Sequence, residues 1–248
     1  MLSRGSRSAR TVRGNLVKIW VFAAFLVLWG NLLHPLIGSS AVLPGGSWLF
    51  VLAGAVLIGA SLIAARIVGL SPVSLGLRRA GAARGAAIGA LAAGAIAAAG
   101  VVVLRLAPAV IGQPVGYAPL ARVSSDELTR HVAFFLPLGA VLPEELAFRG
   151  TLLGGLLARY RVRTAVAASA LTFALWHGTV AWFTVLNTSL PVVLIIPAAL
   201  GALFVVFAGG LVMGALRVAT GTLASSIAAH WVFNAVILVG LWTDRAAP

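Results

Sequence analysis

The chain has 248 residues, is 61% hydrophobic and has a mean hydropathy of +1.07, with only 9% of its residues charged. Ordinary soluble domains carry about 25% charged residues, so a water-facing shell is excluded and a lipid-facing one is implied. Eighteen Lys and Arg stand against five Asp and Glu, and there is no cysteine, which excludes disulfides, a thiol nucleophile and cysteine-ligated metal.

Taken in order, the chain opens on a basic, polar stretch containing Arg4, Arg7, Arg10 and Arg13. About 20 apolar residues follow, longer than the apolar core of a cleaved secretory signal, so this segment reads as a retained signal anchor. Crossing ~30 Å of hydrocarbon takes ~20 residues. Segments of that kind fall at 16–37, 47–69, 85–106, 129–157, 165–186, 190–219 and 222–242. The sixth is overlong, and Pro191 and Pro197 are candidates to break it, giving seven or eight crossings. The expected fold is an all-α polytopic membrane bundle. Gly38–Gly46 reads as a short turn and 107–128 as the longest loop. Gly85 with Gly89, and Gly210 with Gly214, have the small-xxx-small spacing that brings helices close in lipid.

Charge placement orients this map. With the N-terminus inside, the cytoplasmic ends hold Arg4, Arg7, Arg10, Arg13, Lys18, Arg66, Arg78, Arg79, Arg84, Arg159, Arg161, Arg163 and Arg217. The opposite ends hold Arg105, Arg122, Arg130 and Arg245. That bias follows the positive-inside rule, and it accounts for the formal net charge of +13 without nucleic acid.

Of the five acids, Asp126, Glu127 and Asp244 lie in loops or tails, whereas Glu144 and Glu145 are adjacent inside an apolar span. An ionised side chain at the centre of a bilayer costs about 2.5–3.5 kcal/mol on insertion scales. Arg149, four residues after Glu145, shares its helix face and gives it a partner. Glu144 points ~100° away and has none there, so it is free to face a cavity. The structural alternative is a purely architectural buried network.

Four histidines remain. His34 and His131 fall near span ends and read as interfacial. His177 follows Phe173 by four residues and His230 precedes Asn234 by four, so each pair shares a face. Either histidine alone could simply bond a neighbouring helix. Depth makes them more informative. Glu144 lies 15 residues before Arg159, His177 lies 14 after Arg163, and His230 lies 13 after Arg217. At 1.5 Å per residue all three stand ~20–22 Å from basic anchors. One polar cavity near the midplane is expected, reached from the cytoplasmic side or laterally. A carboxylate beside an imidazole can deprotonate water, and imidazole and amide N–H groups can hold an oxyanion. No serine elbow competes for the role, and Ser225 and Ser226 have no buried Asp to complete a triad. Glu144, His177 and His230 could alternatively ligate Zn2+.

Glu144-Glu145-Leu-Ala-Phe-Arg149, Phe173-xxx-His177 and His230-xxx-Asn234 resemble, in order and spacing, the three motifs of the CAAX-protease and bacteriocin-processing (CPBP, or Abi) family. The resemblance covers roughly 128–242. Before it, only Ser74-Leu-Gly-Leu-Arg78 is similar. It implies a basic tail at 1–15, N-terminal transmembrane helices at 16–127, a catalytic membrane domain at 128–242 and a tail at 243–248. It further implies a glutamate-dependent intramembrane endopeptidase of the CAAX prenyl protease type. In that pattern Glu144 and His177 activate water, His230 and Asn234 stabilise the oxyanion, and Glu145, Arg149 and Phe173 support them. Although the family carries a metalloprotease label, a metal-free mechanism is favoured, because the Asn234 carboxamide is a poor zinc ligand. The implied partners are the bilayer and a membrane-embedded or lipidated peptide. The Ala-, Gly- and Arg-rich composition points to a bacterial cytoplasmic membrane. Two rival functions share these residues: a non-catalytic immunity or scaffold protein of the same family, and a proton-coupled transporter.

Overall fold

The computed structural model describes residues 4–37, 48–112 and 116–244, with the side chains of 4–15 and 34–37 left out. The expected turn at 38–46 and Arg245 lie outside the described residues. Eight helices follow one another: α1 Arg4–Ile37, α2 Trp48–Val68, α3 Ala82–Ile111, α4 Ser125–Leu157, α5 Val162–Trp176, α6 Gly178–Leu186, α7 Val192–Thr220 and α8 Leu223–Thr243. No strand forms among the described residues. An isolated bridge, Tyr117 to Thr188, links two loops. Six of the helices are long and apolar enough to cross a membrane singly, and α5 with α6 makes a seventh span bent by 47°. The protein is an integral, multi-pass, all-α membrane bundle, because helices satisfy every backbone polar group internally where no water is available.

The break falls in the fifth span and not the sixth. Pro191 is the N-cap of α7, and Pro197 lies within that uninterrupted helix. Proline close to a helix start disturbs few intrahelical bonds. The bend sits instead at His177, which ends α5 and opens α6. Asn31 of α1 holds it in place. Its Nδ2 donates to the Leu175 carbonyl (2.8 Å), and its Oδ1 accepts from the Thr179 backbone N–H (2.8 Å). Polar groups freed by the bend are thereby satisfied inside the bundle.

Helix α3 runs on to Ile111, so the loop that follows is shorter than 107–128 and holds a single 3-10 turn, Ala118–Leu120. Helix α4 then opens on a capping box, with Ser124 Oγ accepting from the Glu127 N–H and Glu127 Oε2 accepting from the Ser124 N–H. It winds through three π-helical stretches, His131–Phe135, Pro137–Val141 and Leu146–Leu152. The wider i→i+5 turn is uncommon and tends to occur at functional sites.

The loops confirm which helix ends lie together. At one end Arg217 donates to the Ser74 carbonyl (3.0 Å), and the Leu223 N–H donates to the Gly76 carbonyl (2.9 Å). At the other, Trp242 Nε1 donates to the Val123 carbonyl (2.8 Å), and Arg105 pairs with Asp244 (2.8 Å). Lateral packing is closest between α3 and α8. A Cβ placed on Gly89 would fall on the Ser225 carbonyl oxygen. Small residues allow such an approach where lipid gives helices no hydrophobic reason to associate. Gly89→Val is therefore expected to push α8 away from α3 and cost about 1–3 kcal/mol, read as a lowered unfolding temperature in detergent.

Candidate active site

Helix α4 carries both buried glutamates and sends them in different directions. Glu145 is fully buried, and its Oε1 accepts from Arg149 (2.8 Å) and from Nδ1 of His230 on α8 (2.9 Å). Arg149, 1% exposed, lies over the ring of Phe173 on α5, with 4.1 Å from its guanidinium carbon to the ring centroid. Such a cation–π contact gains strength when desolvated. Phe173 packs edge-on against His177 (4.4 Å between centroids) and His230 (5.9 Å). One aromatic ring thus touches the arginine and both histidines.

Glu144 turns away from this cluster. Its Oε2 is buried without a hydrogen-bond partner among the described residues and lies 3.8 Å from Nε2 of His177. That gap is too long for a direct hydrogen bond, yet a water about 2.8 Å from each atom fits between them. Nδ1 of His177 is 2.8 Å from the Phe173 carbonyl, which can only accept. Nδ1 is therefore the N–H, and Nε2 presents its lone pair towards Glu144. On His230 the acceptor is the Glu145 carboxylate, which leaves Nε2 as the second ring nitrogen to act elsewhere.

Glu144, Phe173, His177, His230 and Asn234 all line one cavity of about 640 Å³, whereas Glu145 and Arg149 lie behind it. Asn234, half-buried one turn beyond His230, makes no hydrogen bond among the described residues. His230 reaches this level with Gly221 interrupting the interval after Arg217, the alternative to an unbroken helix that the sequence also left open. Helix α7 ends at the left-handed Gly221, and His230 follows only seven residues into α8. The turn itself is buried, with Thr222 1% exposed. A chain reversal held inside the bundle sets the depth of His230, and a single long helix does not.

His131 corrects another expectation. It is 2% exposed and lines the same cavity, not an interface with headgroups. Its place near a span end was misleading because α4 begins earlier, at Ser125, and because Leu120, Val123 and Leu128 pack over that end of the bundle. The side chain of His34 lies outside the described residues. Tyr117 and Thr184 also line the cavity and were not singled out from the sequence. Both are loop- or end-placed polar residues with no motif to mark them. Tyr117, outside the spans, has its hydroxyl pKa raised by burial, against a smaller opposing effect of its bond to Thr184.

A zinc site needs three or more protein ligands converging on one point. Among the described residues no group of three His, Asp or Glu side chains is arranged to hold a metal ion.

Fold and cavity together define a polytopic membrane protein with an ionisable centre buried between its helices, the class to which intramembrane proteases belong. Residues 127–236, a span that includes all seven motif residues, match the family model described as type II CAAX prenyl endopeptidase Rce1-like. Over that segment the chain is similar to the CAAX-type intramembrane proteases. No curated protein and no solved structure matches the chain.

Because Glu145 has no route to water, removing its cation leaves a bare charge in a dry core. Arg149→Met is expected to destabilise the fold by about 3–5 kcal/mol. Thermal unfolding in detergent checks this, with Glu145→Gln/Arg149→Met as the variant expected to regain most of the loss.

Proposed function

We propose that the protein is an intramembrane endopeptidase in which Glu144 activates a water molecule for attack on a peptide bond of a membrane-embedded or lipidated substrate. One observation carries the reading. Of two adjacent buried carboxylates, Glu145 is held through Oε1 by Arg149 and His230 behind the cavity, while Glu144 has no cation partner, lines the cavity and stands 3.8 Å from His177.

The chemistry follows from the donors and acceptors. A water between Glu144 Oε2 and His177 Nε2 meets two acceptors. It donates both O–H bonds to them and turns its lone pairs into the cavity. As the oxygen attacks the carbonyl carbon, Glu144 takes the proton. The developing oxyanion is held by the Asn234 carboxamide and by His230 Nε2–H when that ring carries both protons. The imidazolium charge is shared with Glu145, which already accepts from Nδ1. Collapse of the tetrahedral species breaks the C–N bond. Glu144 returns its proton to the leaving nitrogen, and an amine and a carboxylic acid depart, the acid passing its proton to the amine or to solvent. No covalent intermediate is needed.

We read this mechanism as metal-free. The support is that no three His, Asp or Glu side chains among the described residues are arranged to hold a metal ion. The mainly apolar cavity wall, including Trp29, Phe50 and Phe204, suits an apolar segment of substrate.

Glu144→Gln and His177→Ala are expected to lower kcat by about 10²–10⁴ with folding intact. Asn234→Ala is expected to lower kcat by about 10²–10³ with little change in KM. Cleavage of a membrane peptide by purified protein in liposomes measures all three, and undiminished turnover in Glu144→Gln overturns the assignment. Protein stripped by chelator and verified by elemental analysis is expected to keep its activity. Activity lost on stripping and restored by Zn2+ alone would favour a zinc centre.

A further inference from the structure

The bundle is hollow in one half and solid in the other, and the two halves end in differently charged loops. From the catalytic level the cavity follows α4 from Glu144 back to His131, α6 from His177 on to Thr184, and α8 from His230 on to Leu241. Every one of those directions leads to the end where Trp242 meets Val123 and Arg105 meets Asp244. In the other direction the same helices are packed shut. Arg149, Thr151, Leu152, Leu156, Ser169 and Ser225, all on that side of Glu144 and His177, are at most 3% exposed.

The solid half ends at the arginine-rich loops. Arg66, Arg78, Arg79, Arg159, Arg161 and Arg163 sit there, and no Asp or Glu of the chain shares that end. At the hollow end, Asp126, Glu127 and Asp244 offset the charge of Arg105, Arg122 and Arg130. Short loops rich in arginine are retained in the cytoplasm, while acidic residues contribute little to that choice. The solid half is therefore cytoplasmic and the hollow half extracytoplasmic. The sequence left a cytoplasmic and a lateral approach open.

We propose that the cavity receives its substrate from the extracytoplasmic side of the membrane, so that the substrate is an exported or outward-facing membrane-embedded peptide segment. The proposal rests on the protease reading for what happens to that segment, but not for the route. A lipidated C-terminus offered from the cytoplasm would have to pass the packed half, which carries the buried Glu145–Arg149 pair. A segment arriving from the other face, or along the outer leaflet, meets the half of the bundle that holds the cavity.

The chain has no cysteine, so single thiols can be introduced without background. Ala140→Cys and Val180→Cys place a thiol on the cavity wall from two different helices, just outward of Glu144 and His177. Ala158→Cys marks the arginine-rich end and Ala121→Cys the opposite one. A charged, membrane-impermeant methanethiosulfonate is applied to spheroplasts and, separately, to inside-out vesicles. Ala140→Cys, Val180→Cys and Ala121→Cys are expected to label at least several-fold faster in spheroplasts, and Ala158→Cys faster in inside-out vesicles. The proposal is overturned if both cavity thiols label faster from the cytoplasmic face, if neither labels from any face, or if Ala158→Cys labels from outside. The same labelling is repeated in the Glu144→Gln background and read beside peptide cleavage. Outward labelling without any hydrolysis removes the protease reading and leaves the route standing. Hydrolysis with inward labelling removes the route alone.

Discussion

The arrangement depends on the ion pair between Glu145 and Arg149, both fully enclosed by protein. In a low-dielectric interior an unpaired charge is far more costly than a paired one. The pair is local to α4, but its remaining contacts are not. Glu145 also accepts from His230 on α8, and Arg149 lies over Phe173 on α5. Satisfying one buried carboxylate therefore fixes three helices relative to each other. Glu144 is left over by the same geometry. Neighbouring residues on a helix cannot share a face, so the engagement of Glu145 inward leaves its neighbour turned to the cavity.

Backbone irregularities serve the same end. The span is broken at His177, and Asn31 supplies the hydrogen bonds that the break requires. The π-turns of α4 flank Glu144 and Glu145 on both sides. Helix α8 begins from a buried reversal, which brings His230 to depth within seven residues. Each departure from regular helix lies next to a residue that lines the cavity or supports its wall.

Much of this was legible in the sequence for definite reasons. Hydrocarbon thickness fixes the length of a span, so hydropathy located all seven. The i, i+4 relation separated Glu145 from Glu144. Other features had no such rule behind them. Pro191 and Pro197 looked like breakers, but proline near a helix start is harmless, and the true break is marked only by Gly178 after His177. His131 looked interfacial because the sequence does not show that Leu120 and Val123 cover that end of α4. The direction in which the cavity opens had no such rule for a deeper reason. In lipid the outside of a helix is as apolar as its packed side, so hydropathy cannot tell a wall facing a void from a wall facing a tail.

The cavity wall also divides the molecule by origin. The ionisable residues of the centre all come from α4, α5 and α8, within the segment that matches the family. Yet Trp29 of α1, Phe50 and Leu57 of α2, and Ala93 and Ile96 of α3 close the chamber from outside that segment. Reaction and part of the fit are thus encoded in separate stretches of gene. Drift in the first three helices can resize or reshape the compartment while every titrating group stays in place, which offers a lineage new clients without re-inventing the chemistry.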